Sequence, residues 1–311
     1  NQPLQDTADF KTVDIVAYLK DESFERFAAE VISQRLALIE SAELRKADLL
    51  PGLSLEEEAK LLGATSLREK LLELLRGNAA VTEAELRQAA DLPLLDACMV
   101  LRWSEAHREP LENVLRHALN EPGKWRTRMG NYGYALLFTI REKSVGLRKY
   151  YAGWSVYCQL ADGNIRYLIR LVYEALRLHL VGGSGFETPV SVADQTRAAT
   201  RVGETTIQDL QGWSRQGAAL TRLSIGLGSY FGGLARDRAL FTPEISQFRV
   251  NYSPNNDINL EITGLLMEAV GQGVLIAFDE NKNARFTGST RDKDYRLHPV
   301  LAPYFMYSPR S

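Results

Sequence analysis

Cysteine is nearly absent from this sequence: Cys98 and Cys158 are the only two among 311 residues. A small scaffold stapled by several disulfides is therefore excluded; one structural disulfide is possible, but two buried free thiols in a reducing cytosol are the expectation. Long hydrophobic runs are missing as well. The longest, such as Tyr134–Ile140, fall well short of the ~18 residues a membrane-crossing helix needs. No basic-then-apolar leader opens the chain. These absences predict a soluble cytoplasmic protein without a membrane partner.

Chemical motifs are just as scarce. A phosphate-binding loop needs G-x-x-x-x-G-K-[ST], in which backbone amides cradle the phosphates and the hydroxyl holds magnesium. Gly123-Lys124 has Ala118 where the first glycine belongs and Trp125 where the hydroxyl belongs. The Gly182–Gly185 run fails as a nucleophile elbow, because Phe186 takes the last glycine position. His107, His117, His179 and His298 have no Cys, His or carboxylate at metal-ligand spacing. No metal site and no catalytic residue are expected in this chain taken alone.

What is present is an ordinary globular composition, 45% hydrophobic and 24% charged, long enough for two domains. The net charge of −2 hides an asymmetry. Residues 1–119 carry 14 basic against 22 acidic side chains, residues 120–184 carry 10 against 4, and residues 185–311 balance at 13 each. A basic middle behind an acidic front fits either a surface that meets an anion or an internal contact between two parts of one protein.

Periodicity places the elements. Asp9–Ile15 alternates like a short strand, and Phe24 to Ile39 carries apolar residues at helical spacing. Ser54 with Glu57, Ser66 with Glu69 and Thr82 with Glu85 have capping-box spacing and predict three helix starts. One or two more helices follow between Asp91 and Leu119, with Pro93 and Pro110 near their starts. Glu121–Arg128 reads as a basic loop with an embedded Trp125, and Ala135–Ile140 as a buried strand or a short helix, which periodicity alone does not decide.

The clearest helix runs from Asn164 to Leu180, burying Ile165, Leu168, Ile169, Val172 and Leu176 and exposing Arg166, Arg170, Glu174 and Arg177. Val181–Gly185 reads as a hinge and domain boundary. Beyond it come helices over 190–213 and 218–234, a strand over 245–250 and a helix over 257–270. Strands at Val274–Phe278 and Asp294–Leu297 flank a polar hairpin. Helix, strand, hairpin, strand is the expected ending of a winged helix. The fold class is thus mainly α with small β. A core-strand region (1–20) leads to a helical lid-like domain with a helical insertion (21–184) and then a winged-helix domain (185–311).

One feature is chemically suggestive. Asp162-Gly163-Asn164-Ile165-Arg166 puts an arginine in the first turn of a strong helix. There unpaired N–H groups and the macrodipole already favour an anion. The segments Tyr150-Tyr151-Ala152-Gly153-Trp154 and Gly163-Asn164-Ile165-Arg166-Tyr167-Leu168 resemble the lid of Orc/Cdc6-type AAA+ ATPases, in particular bacterial members from genome-conflict and phage-defence settings. The resemblance implies that Arg166 is the sensor-2 arginine reaching the γ-phosphate. It also implies that Asp9–Ile15 is similar to the last core strand before the lid. Gly273–Ile276, Tyr295–Leu297 and Leu301–Phe305 are similar to the closing winged helix. The family's phosphate-binding loop, magnesium strand and sensor-1 strand would lie upstream of Asn1. ATP with magnesium is therefore a cofactor of a longer parent and not of this chain alone.

A winged helix implies DNA contact, yet Asp257–Val270 contains Asp257, Glu261 and Glu268 and no basic residue. The wing is better suited, with Lys282, Arg285, Arg291, Lys293 and Arg296. Lys124, Arg126 and Arg128 beside Trp125 form a second candidate, able to hold phosphates and stack a base. The competing reading is a protein-interaction or self-assembly module, docked through the acidic helices.

Overall fold

The computed structural model describes residues 22–37, 49–141, 146–213, 216–250, 257–278 and 294–310. Asp9–Ile15 lies outside them. The described residues form thirteen α-helices and one small antiparallel sheet, a mainly α fold with small β.

After α1 (Glu22–Ala37), six helices build an array: α2 (Leu55–Leu62), α3 (Ala64–Arg76), α4 (Glu83–Ala90), α5 (Leu94–His107), α6 (Leu111–Asn120) and α7 (Pro122–Ile140). Two of the three expected capping boxes form. The Ser54 hydroxyl accepts from the Glu57 N–H while the Glu57 carboxylate accepts from the Ser54 N–H, and Thr82 and Glu85 repeat the arrangement. Ser66 caps nothing. Gly63, at φ 101°, ends α2 and starts α3 at once, so Ser66 falls inside the helix. Pro93 and Pro110 stand just before α5 and α6. The start of α5 is capped from a distance, with the Glu56 carboxylate of α2 accepting from Leu94 and Leu95 N–H at 2.5 and 3.1 Å.

The expected basic loop at 121–128 is instead the beginning of α7, which runs without a break through Ala135–Ile140. Pro122 supplies a preset φ in the first turn. Trp125 turns inward, 5% exposed, and its indole N–H donates to Asp96 at 2.5 Å. With that anchor buried the segment gains more as helix than as loop, and Ala135, Leu136, Leu137, Phe138 and Ile140 complete its buried face.

Two cores result. The first is packed by Leu71, Leu75, Met99, Leu101, Leu115, Leu136 and their neighbours from α2–α7. The second gathers α1, α8 (Trp154–Ala161), α9 (Ile165–Val181), α10 (Val192–Trp213), α11 (Gly217–Asp237) and the sheet with its adjoining segments. This second core holds Leu168 and Leu171 together with Leu210, Leu220 and Tyr307. Residues 181–184 are exposed, and one continuous core extends to both sides of them. Glu174, expected on the exposed face of α9, is buried with Arg177 and Arg201 around it.

Polar groups tie the cores together. Lys149 donates to both Glu58 oxygens at 2.8 and 2.9 Å, with its side chain 1% exposed. Gln195, fully buried, accepts from Gly153 N–H and donates to the Pro51 and Val190 carbonyls. Gly153 is at φ 107°, and a Cβ there would stand 2.8 Å from the Gly52 Cα, so the backbones meet where only glycine fits.

The sheet comprises β1 (Gln247–Arg249), β2 (Leu275–Phe278) and β3 (Asp294–Leu297) in the order β1-β3-β2. Leu275 faces Leu297, and Tyr295 faces Ala277 on one side and Phe248 on the other. Helix α12 (Asp257–Gly271) connects β1 to β2. A 3-10 turn (Pro299–Leu301) and α13 (Ala302–Phe305) then pack against α10.

Candidate functional site

The start of α9 is built by a reversal. Helix α8 ends at Asp162, in the left-handed region at φ 45°, and Gly163 follows at φ 80°. Asn164 then caps α9, its side-chain oxygen accepting from the Arg166 N–H at 3.0 Å. The reversal leaves Tyr167 and Leu168 buried and Arg166 exposed in the first turn.

The arginines around it are occupied. Arg170 reaches Thr205 and Asp209. Arg177 and Arg201 share Glu174, and Arg296 donates to Asp162. The Arg166 guanidinium has no hydrogen-bond or ion-pair partner among the described residues. An arginine at the positive end of a helix dipole, without a carboxylate of its own, is poised for an external anion.

The other candidates fare differently. Lys124 is exposed and pairs with Glu121 at 2.5 Å, and Arg126 is exposed. Arg128 is half-buried with its guanidinium carbon 4.0 Å from the Trp103 ring centre and 5.3 Å from that of Trp125, and desolvation lowers its pKa. Trp125 is thus a core residue carrying a cation on its ring, and no face of it is offered to a base. Arg296 is 8% exposed, lies over Phe278 and donates to both Asp162 oxygens at 2.8 Å, so it braces β3 instead of projecting from a wing. Lys282, Arg285, Arg291 and Lys293 lie outside the described residues.

Among the described residues no three His, Cys, Asp or Glu side chains gather as a metal site. Cys98 and Cys158 are free and buried, and burial pushes both thiols up to about 12. No helix among the described residues is long and apolar enough to cross a membrane.

The family model described as ORC-CDC6-like matches residues 1–311. The chain belongs to the ORC-CDC6-like family. No curated protein and no solved structure matches it. Membership marks the chain as related to the AAA+ ATPases.

This family member also holds a second basic cluster that has no motif in the sequence. Arg102, Arg141, Arg148 and Arg236 line one cavity, together with Phe138 and Phe305. They come from three stretches, α5, the connection between α7 and α8, and α11, so no local spacing announces all four. The only hint was the excess of basic residues over 120–184.

Proposed function

We propose that this chain is the regulatory and binding part of an AAA+-related ATPase, in which Arg166 reads the terminal phosphate of a nucleotide held by a core elsewhere in the parent protein. The observation carrying this reading is that Arg166 stands exposed and without a partner among the described residues at the start of α9, while Arg170, Arg177 and Arg296 nearby are each paired. A guanidinium held there supplies two parallel donors to a phosphate. ATP and magnesium belong to that parent. This chain's own contribution would be the orienting charge, placed by the Asn164 cap and the Asp162–Gly163 reversal. In a parent protein able to turn over ATP, Arg166→Ala should lower turnover at least tenfold and leave thermal unfolding unchanged. Unchanged turnover would remove the sensor role.

The same proposal gives DNA contact to the segment between β2 and β3, which carries Lys282, Arg285, Arg291 and Lys293. The strand order and the helix between β1 and β2 support a winged-helix reading of this region. Contact of this kind is with the phosphate backbone, so affinity should fall with salt, each neutralised phosphate adding about 0.9 to the logarithmic slope.

One observation favours a protein partner instead. Helix α12 exposes Ile262, Met267 and Val270 alongside Glu261, with Met267 at 70%. The helix offers phosphates no basic side chain, and its exposed Ile262, Met267 and Val270 suit an apolar surface. Duplex binding that is strong at low salt and is lost when all four wing charges become glutamine supports DNA. Absence of binding even at low salt leaves the protein partner.

A further inference from the structure

The cavity lined by Arg102, Arg141, Arg148 and Arg236 lies at the seam of the two cores, between α5, the end of α7, α11 and α13. Its volume is about 380 Å³, within the roughly 300–1,000 Å³ of small-molecule sites. Among the described residues no carboxylate lines it.

The four arginines are compensated unequally. Arg102 pairs with Glu105 at 2.8 Å, and Arg236 with its neighbour Asp237 at 2.8 Å. Arg141 is anchored without being neutralised: it donates to the carbonyls of Leu61 and Leu62, at 2.8 and 3.3 Å, at the end of α2. Those bonds fix the guanidinium but leave its full charge. Arg148 is half-buried and has no hydrogen-bond or ion-pair partner among the described residues. Two guanidinium groups with no carboxylate partner among the described residues therefore face one partly enclosed space, where low-dielectric walls concentrate their field. Like charges gathered in this way are unfavourable unless an anion joins them. The aromatic walls supplied by Phe138 and Phe305 offer an apolar surface next to the charges.

We propose that this cavity binds a small phosphate-bearing anion of at least two phosphoryl groups, either inorganic or carried on a nucleoside, with Arg141 and Arg148 as its direct contacts. The site is separate from Arg166 and does not depend on the role given to it. A ligand here would bridge the helical array and the sheet-bearing core, because its contacts come from both.

The test is calorimetric titration of the full chain with inorganic pyrophosphate and, separately, with ADP at low ionic strength. Saturable binding of pyrophosphate is expected, weakened at least tenfold in Arg148→Ala and restored in part by Arg148→Lys. Gly233 lines the same cavity, and a Cβ built on it meets nothing within 4 Å. Gly233→Leu should therefore fill the space and abolish binding without disturbing the fold, which gives a second variant if Arg148→Ala unfolds. Arg166→Ala should leave pyrophosphate binding intact. Tighter binding of ADP than of pyrophosphate would identify a nucleotide, and equal binding would identify the phosphate group alone. Absence of saturable pyrophosphate binding, or binding equally tight in Arg148→Ala and Gly233→Leu, would overturn the proposal.

Discussion

A single Arg296 nitrogen donates to both carboxylate oxygens of Asp162 at 2.8 Å, joining β3 to the reversal that precedes Arg166. The Arg296 side chain is 10% exposed and that of Asp162 31%. The pair therefore braces the start of α9 from the sheet side, linking the strand after the basic segment to the turn that sets the exposed arginine. Asp162→Asn removes the charge but keeps the shape, leaving a nearly buried cation with a weaker partner. The expected cost is about 1–3 kcal/mol, read as a lower denaturation midpoint with an unchanged slope. An unchanged midpoint would show that the pair contributes no net stability.

Lys149 and Glu58 make a different kind of pair. Both side chains are almost completely buried, at 1% and 6% exposure, and Glu58 also accepts from the Tyr150 N–H. Removing one partner of such a pair leaves an uncompensated charge in the interior, a loss of about 3–5 kcal/mol. Lys149→Met should unfold the chain at markedly lower denaturant. Lys149→Met combined with Glu58→Gln should recover part of the loss, since neither residue is then charged. Additive losses in the double variant would exclude coupling between the two.

How much of this was legible in the sequence follows from the range of each interaction. Helices with local signals were placed closely: the Ser54 and Thr82 boxes, the proline starts of α5 and α6, and the apolar stripe of α9 all act within one or two turns. Errors arose where a distant partner decided. Trp125 looked like a loop aromatic because Asp96, which accepts its N–H, is 29 residues away. Arg296 looked like a wing cation because Asp162 is 134 residues away. Ser66 failed for a local reason, since Gly63 had already started the helix. The cavity arginines combine positions from 102 to 236, and no linear pattern joins them.

His298 carries the clearest pH prediction. It is buried, its Nδ1 accepts from the Val300 N–H at 3.2 Å, and desolvation, aided by the Arg296 charge, lowers its pKa from 6.5 to about 3. The folded protein therefore holds the imidazole neutral where the unfolded chain would protonate it. As pH falls below about 6.5 the unfolded state takes up the extra proton, so stability drops at up to about 1.4 kcal/mol per pH unit until the folded pKa near 3 is reached. Above 6.5 the residue contributes no pH dependence. His298→Asn keeps an acceptor for Val300 without a titrating group. Denaturation midpoints measured between pH 7 and pH 4.5 should fall less steeply in that variant, and identical slopes would remove His298 as the cause.

Two adjacent glycines on α11 should respond oppositely to alanine. A Cβ at Gly232 would collide with the backbone carbonyl oxygen of Phe305, whereas one at Gly233 meets nothing within 4 Å. Both sit in a helix, where alanine is intrinsically better by about 1 kcal/mol. At Gly233 that gain is unopposed, so Gly233→Ala should raise stability by about 0.4–1 kcal/mol. At Gly232 the carbonyl belongs to backbone and cannot rotate away, so α13 must shift from α11, and overpacking of this kind costs about 1–3 kcal/mol. Gly232→Ala should therefore lower the thermal midpoint and Gly233→Ala raise it. A rise in both would mean that α13 yields its place on α11 at little cost, because only the close approach of Phe305 separates the two positions.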